Sequence, residues 1–318
     1  MANPNWGELA TSTLALRRPM IGDAVSKSTV IIYEIKRRKR DRLVGGGRTI
    51  LSPVMVGEEN QNFQWYSGRE ALNVDGQEVL TSAEYPWKQY ACAVSIAGDE
   101  MLKNSGKEQV FNMLTARTQH AEKTIKNQMA QSAHGDGTGS SGKEYGGIAL
   151  HVGTAAGATV GGINSTTFTW WDNARTVGGA PTTANIYGNM HTTWMKVVRG
   201  TDKPNLIISD NTYYTIFVQS LHGQQRYTND RLARAGFDNV MFMSAPVAPD
   251  GGLGGFAPVG MRFLNLDTLE MITHRGRNNA ILGGPRRPLT EDSDTAIIAG
   301  MGNFANNNRM LNAVLTTT

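Results

Sequence analysis

The chain has 318 residues and a formal net charge of +4, more than one compact core usually holds, so two or more lobes are expected. Hydrophobic residues make up 40%, which excludes a disordered chain. Charged residues are 18%, against roughly 25% in a typical soluble domain, so the surface is either rich in uncharged polar groups or covered by neighbours.

Residues 1–47 are expected to form an N-terminal arm, extended or partly helical. Val30-Ile31-Ile32-Tyr33 is short, apolar and β-branched, and fits a strand or the buried part of a helix. Lys36, Arg37, Arg38, Lys39, Arg40 and Arg42 come next, six cations in seven positions. Charge this dense needs solvent, phosphate or acidic partners. With no aromatics interleaved, any nucleic-acid contact would be to the backbone, without base stacking. Gly45-Gly46-Gly47 is a flexible joint, a hinge between the arm and the ribbon.

Residues 48–97 predict an extended β-ribbon loop. Ile50-Leu51 and Pro53-Val54-Met55-Val56 are strand-like, and Asn62-Phe63-Gln64-Trp65-Tyr66 alternates as a further stretch of one arm. Ser67-Gly68 and Asp75-Gly76 are turn signals, and Tyr85 to Ile96 reads as the return. A lone two-stranded ribbon is marginal in water. Its aromatics must therefore pack on their own domain or on another subunit.

Residues 98–150 hold a long helix expected from about Lys107 to His134. Val110, Leu114, Ala121, Ile125 and Met129 make one stripe along it. Asp99 and Glu100 favour a helix start just before. Residues 151–285 alternate in type. A Gly-, Ser- and Thr-rich stretch is anchored by Phe168, Trp170 and Trp171. A helix is expected over 185–198, and Asn205 to Ser209 is a buried strand. Asp210 is placed to N-cap a second helix. Strands are expected at 239–243, 262–266 and 269–272, giving an α/β lobe. Residues 286–318 return to β character, with strands at 294–301 and 309–315 as a closing pair.

No catalytic constellation stands out. The six histidines are scattered, and none pairs as His-x-x-x-His. The glycine-rich runs match neither a P-loop nor a dinucleotide fingerprint. No Gly-x-Ser-x-Gly elbow is present. Glu291-Asp292 with Asp294 reads as a solvated acidic turn rather than a cation site. Cys92 is the one cysteine, so an internal disulfide is excluded and a buried thiol is expected. Residues 1–20 lack the apolar run of a signal peptide, and no stretch approaches the ~20 apolar residues of a membrane helix. A cytoplasmic origin is expected, with no membrane partner and no cofactor.

The order of these parts resembles the coat-protein fold of tailed bacteriophages named for phage Hong Kong 97. The suggestive stretch runs from Leu206-Ile207-Ile208-Ser209-Asp210 and Tyr213-Tyr214 through Gln224-Gln225-Arg226-Tyr227-Thr228, Ala235-Gly236-Phe237, Ala245-Pro246-Val247 and Asp250. It ends on Phe263-Leu264-Asn265-Leu266-Asp267-Thr268-Leu269. The resemblance implies an α+β capsid fold. It has an N-terminal arm, a β-ribbon loop, a spine helix in a peripheral domain (98–150), an axial domain (151–285) and a C-terminal return to the peripheral domain (286–318). It implies a major capsid protein of the virion, assembled in the bacterial cytoplasm into hexamers and pentamers around double-stranded DNA. Portal, scaffolding or decoration proteins would be further partners. Phe63, Trp65, Tyr66, Arg69 and Glu70 would touch the neighbouring subunit, and the cations at 36–42 would touch the genome or a neighbour. Two alternatives remain: a nanocompartment shell of the same fold, and a cytoplasmic enzyme with a Gly-rich loop.

Overall fold

The computed structural model describes residues 29–56, 59–103, 113–221, 228, 230–234, 238–250, 257–282 and 292–317. Residues 1–28 of the expected arm, the expected helix start at 107–112, His222, Glu291, and 224–227 and 235–237 of the resemblance stretch lie outside them.

In chain order the elements are α1 (Val30–Arg37), β1 (Asp41–Val44), β2 (Ile50–Met55), β3 (Leu80–Tyr85), β4 (Lys88–Ala97), α2 (Gly98–Lys103) and α3 (Met113–His134). Next come α4 (Ile148–His151), β5 (Thr159–Val160), β6 (Ile163–Asn164), β7 (Ala174–Val177), α5 (Ile186–Val197), β8 (Leu206–Ser209) and α6 (Asn211–Ser220). The last are α7 (Asp230–Arg234), β9 (Val240–Phe242), β10 (Ala245–Pro249), β11 (Met261–Leu264), β12 (Leu269–His274), β13 (Ala280–Ile281), β14 (Ser293–Asn306) and β15 (Ala313–Thr316).

Two sheets organise the chain. The first is built on β14, which pairs antiparallel with β4 along Ser293 to Gly302 and with β12 and β13 on its other edge. β1 adds parallel to β12. The second runs β7-β15-β11-β8-β10-β9. Its centre, β8, is apolar on both faces because both are covered. Leu206 and Ile208 point into one core and Ile207 into another, which is why the run Leu-Ile-Ile does not alternate.

α5 and α6 cover one face of the second sheet through Ile186, Met190, Trp194 and Phe217. Asp210 begins α6 as expected, its side chain accepting from Tyr213 N. Between the two sheets lie α1, through Val30, Ile31 and Ile35, and the end of α3, through Ala133. Ala121 and Ile125 of α3 lie on Val94 and Ile298 of the first sheet, with Met129 beside them. The described part of the helical stripe, Ala121, Ile125 and Met129, therefore faces the sheet.

Of the two readings open for Val30 to Tyr33, the buried part of a helix is the one found. Ile31 and Ile35 lie four apart on its buried side, beside Val30. Several expectations change elsewhere. Asn62 to Tyr66 forms no strand, and no turn forms at Asp75-Gly76. Leu269–His274 leaves the α/β lobe and pairs in the first sheet. The last two strands do not pair with each other. β14 is the centre of the first sheet, while β15 starts only at Ala313 and joins β11 and β7 in the second. Phe168 is 44% exposed, whereas Trp170 and Trp171 are buried as anchors.

Candidate intersubunit interface

The base of the ribbon is a proper ladder. β2 and β3 pair antiparallel from Ile50 opposite Tyr85 to Met55 opposite Leu80. One face, Ile50, Val54, Ala83 and Tyr85, packs on Val160, Trp170, Trp171, Ile272 and Ala305 of the same chain. The Tyr85 hydroxyl donates to Asn306 O at 2.9 Å. The other face is open: Leu51, Met55 and Leu80 are 58%, 68% and 71% exposed.

Val56 N still donates to Val79 O at 2.9 Å. Beyond that pair, among the described residues, side-chain amides hold the two legs together. Asn62 Nδ2 donates to Asp75 O at 2.6 Å and Gln64 Nε2 to Ala71 O at 3.0 Å. Gln64 Oε1 accepts from Asn73 N, and Gln77 Oε1 from Gln61 N. The tip turns at Gly68, whose φ of +64° suits glycine. There Glu70 accepts from Ser67 N at 3.2 Å. Phe63 and Trp65 meet edge to face at 5.5 Å.

The apolar groups on this loop are turned outward. Trp65 is 90% exposed and Val74 85%, with Phe63, Tyr66 and Leu72 all more than half exposed. Scattered exposed apolar residues are ordinary, but a contiguous set marks an interaction surface. Thus the structure brings together Phe63, Trp65, Tyr66, Arg69 and Glu70 in one exposed loop. It adds Leu72 and Val74 on the return leg, whose alternation was a usable sequence signal. Because Trp65 touches little but Phe63, Trp65→Ala should leave the melting temperature of the unassembled chain within about 1 °C, equivalent to less than ~0.5 kcal/mol. A calorimetric scan showing a drop of 5 °C or more would mean that the ring packs within its own chain.

Gly45, Gly46 and Gly47 are exposed and join β1 to the ribbon base. Gly46 and Gly47 have φ of +147° and +129°, which few other residues adopt. Trp87 Nε1 donates to Gly47 O at 2.9 Å, pinning the far end of the joint.

The cations at 36–42 divide by type. Arg37 and Arg38 reach the buried Glu34. Arg38 also pairs with Asp267 at 3.2 Å, and Arg40 and Arg42 share Glu270 at 3.0 and 3.1 Å. The four arginines thus find carboxylates within the chain, an acidic partner the sequence left open. Lys36 and Lys39 are exposed.

The histidines occupy unrelated places. His120 and His191 are exposed, and His274 meets Trp87 edge to face at 5.8 Å. His134 is buried with Nε2 2.8 Å from Asp250 Oδ2, tying the end of α3 to the second sheet. His151 is fully buried against Tyr85, near the backbone of Gly146 and Phe304 but without a hydrogen bond of good geometry. Burial, and then the Arg309 charge, push its imidazole down to about 3. The unfolded chain therefore binds the proton first. Stability is full above about 6.5 and falls by up to ~1.4 kcal/mol per pH unit as pH drops toward 3. Urea titrations between pH 7 and 4 should show this loss, and His151→Gln should flatten it. Equal slopes in both proteins would assign the loss to other groups.

Cys92 is half-buried on the side of the sheet that faces α3. Among the described residues no group of three or more His, Cys, Asp or Glu is placed to hold a metal ion. Among them, too, no helix is long and apolar enough to cross a membrane.

No family model matches the chain, and no curated protein matches it in sequence. Solved structures do match in fold. A chain of the cyanophage A-1(L) capsid superposes with a TM-score of 0.64 at 15% identity, covering 94% of this chain and 96% of that one. The capsid of the Myoviridae phage XM1 gives 0.60 at 11% identity, over 94% and 95%. An encapsulin complex from Synechococcus elongatus PCC 7942 gives 0.58 at 12% identity, over 100% and 96%. The chain therefore has the α+β, Hong Kong 97-type fold that these tailed-phage capsid chains and the encapsulin share.

Proposed function

We propose that the chain is a major capsid protein, a structural subunit that builds the icosahedral head of a tailed phage. The observation that carries this reading is a shell fold matched over 94% of a chain whose loop leaves Phe63, Trp65, Tyr66, Leu72 and Val74 uncovered. In this reading the sheet of β4, β12 and β14 belongs to the peripheral domain and the sheet of β8 to β11 with β15 to the axial domain. Axial domains meet around hexamers and pentamers, and each exposed loop lies over a neighbour. A fully buried large side chain contributes ~1.5–3 kcal/mol before ordering costs, and closure into rings multiplies weak contacts. Gly45 to Gly47 let one sequence take up non-equivalent positions. Lys36 and Lys39, with the partly exposed arginines beside them, face the packaged DNA or a neighbour. The chemistry is association, not catalysis. Portal, scaffolding and decoration proteins are the further partners this role calls for. The particle is assembled in the host cytoplasm and ends as the virion.

A second reading is a nanocompartment shell, favoured by the encapsulin match over the whole chain. Nuclease-treated particles from the native source separate the two. A head retains protected double-stranded DNA, whereas a nanocompartment retains protein cargo and no DNA. A discrete small oligomer in place of any particle would overturn both.

A further inference from the structure

We infer that the loop of one copy seats on an open strip of the first sheet in a second copy, where Arg275 and Arg277 receive its carboxylates. This inference rests on the shell-subunit reading and names the surface that receives the loop.

The strip is set by strand parity. Alternate residues of a strand share a face, and so do directly opposed residues of neighbouring strands. Ala305 of β14 lies on the face covered by the ribbon base. Met301 and Ile297 lie on that same face four and eight residues back along the strand, opposite Gln89 and Ala93. The ribbon base does not reach this far. Gln89, Ala91, Ala93 and Ser95 are exposed, and Ile297 is 38% exposed, while α3 covers the opposite face at Val94 and Ile298. What remains is a strip in which Ala91, Ala93 and Ile297 form an apolar middle between Gln89 and Ser95, with room for an aromatic ring to lie flat.

Charge then selects the occupant. Arg277 Nη1 donates to Gln89 Oε1 at 2.6 Å, which sets its guanidinium at the end of the strip, and Arg275 is exposed two residues away. Among the described residues neither arginine forms an ion pair, in contrast to the four arginines at 37–42. The loop is the acidic part of a basic chain. Between residues 56 and 79 it carries Glu58, Glu59, Glu70, Asp75 and Glu78 against Arg69 alone, a net of −4. A partner for it must be apolar and cationic together, and the strip is both. Complementary charge of this kind sets register and suppresses wrong pairings.

The test is a charge swap in the full-length chain, read by sedimentation and electron microscopy. Arg275→Glu with Arg277→Glu should keep the wild-type melting temperature yet raise the concentration needed for assembly by about tenfold or more, ~1.4 kcal/mol per contact. Adding Glu70→Lys and Asp75→Lys should restore assembly. If the double variant assembles at the wild-type concentration, or if the swap restores nothing, the docking site is elsewhere. If the variant shells form normally but lose protected DNA, the arginines bind phosphate instead, and the inference falls while the shell reading stands. If the wild-type chain itself never assembles, the shell reading fails first.

Discussion

Deleting residues 62–76 should leave a folded chain that no longer forms particles. Most of the residues removed are exposed, and their described hydrogen bonds run to other residues of the same loop. The ladder from Ile50–Tyr85 to Met55–Leu80 and the core beneath it remain. A shorter connection also costs slightly less to close, by just under ~1 kcal/mol for this change in length. Thermal stability should therefore stay within ~1 kcal/mol of wild type. Assembly should vanish, because each copy loses Phe63, Trp65, Tyr66, Leu72 and Val74 as anchors, several kcal/mol of apolar burial per contact. Electron microscopy of the deletion variant checks this. Normal particles would show that the loop braces nothing.

Arg309→Met should be the most damaging single substitution among the groups described. Arg309 is fully buried. Its Nε donates to His151 O at 2.8 Å, Nη1 to Trp171 O at 3.1 Å and Nη2 to Asn173 Oδ1 at 3.0 Å. One guanidinium thus satisfies α4, the turn at Trp171 and the start of β7 from the connection between β14 and β15. Methionine fills much of the volume but leaves the His151 and Trp171 carbonyls without this donor, and Asn173 Oδ1 with the long bond from Arg175 Nη1 at 3.4 Å. Each buried acceptor left unpaired costs ~1–3 kcal/mol. Part is offset, since burial already works against the charge and lowers the Arg309 pKa. A net loss of ~3–5 kcal/mol is expected in urea unfolding. A loss under ~1 kcal/mol would mean that water or a rearrangement replaces those bonds.

Elements whose cause is local were legible in the sequence. The apolar run at Leu206–Ser209, the stripe of α3, the face of α5 and the Asp210 cap each carry their own period or chemistry. The hidden features were set by partners far along the chain. Ala93 meets Ile297 and Tyr85 meets Asn306 across some 200 residues, and no local pattern says so. The same holds for β15, whose four buried residues fit either sheet until the pairing with β11 decides. Of the interface, the aromatics at 63–66 were readable as unsatisfied. The loop's lack of a ladder was not, because alternation cannot distinguish a paired strand from a leg held by its amides. The arginines at 37–42 concealed only their partners, since Asp267 and Glu270 arrive from β12 and the turn before it.

The central claim is that the exposed loop finds its contacts on other copies of the chain. Sedimentation velocity on the purified full-length protein, followed through Trp fluorescence as concentration rises, tests it most directly. The account predicts a cooperative jump to particles of megadalton mass with a blue shift of emission that is absent in Trp65→Phe. A monomer or dimer at every concentration and salt, with Trp65 emission unchanged, would contradict it.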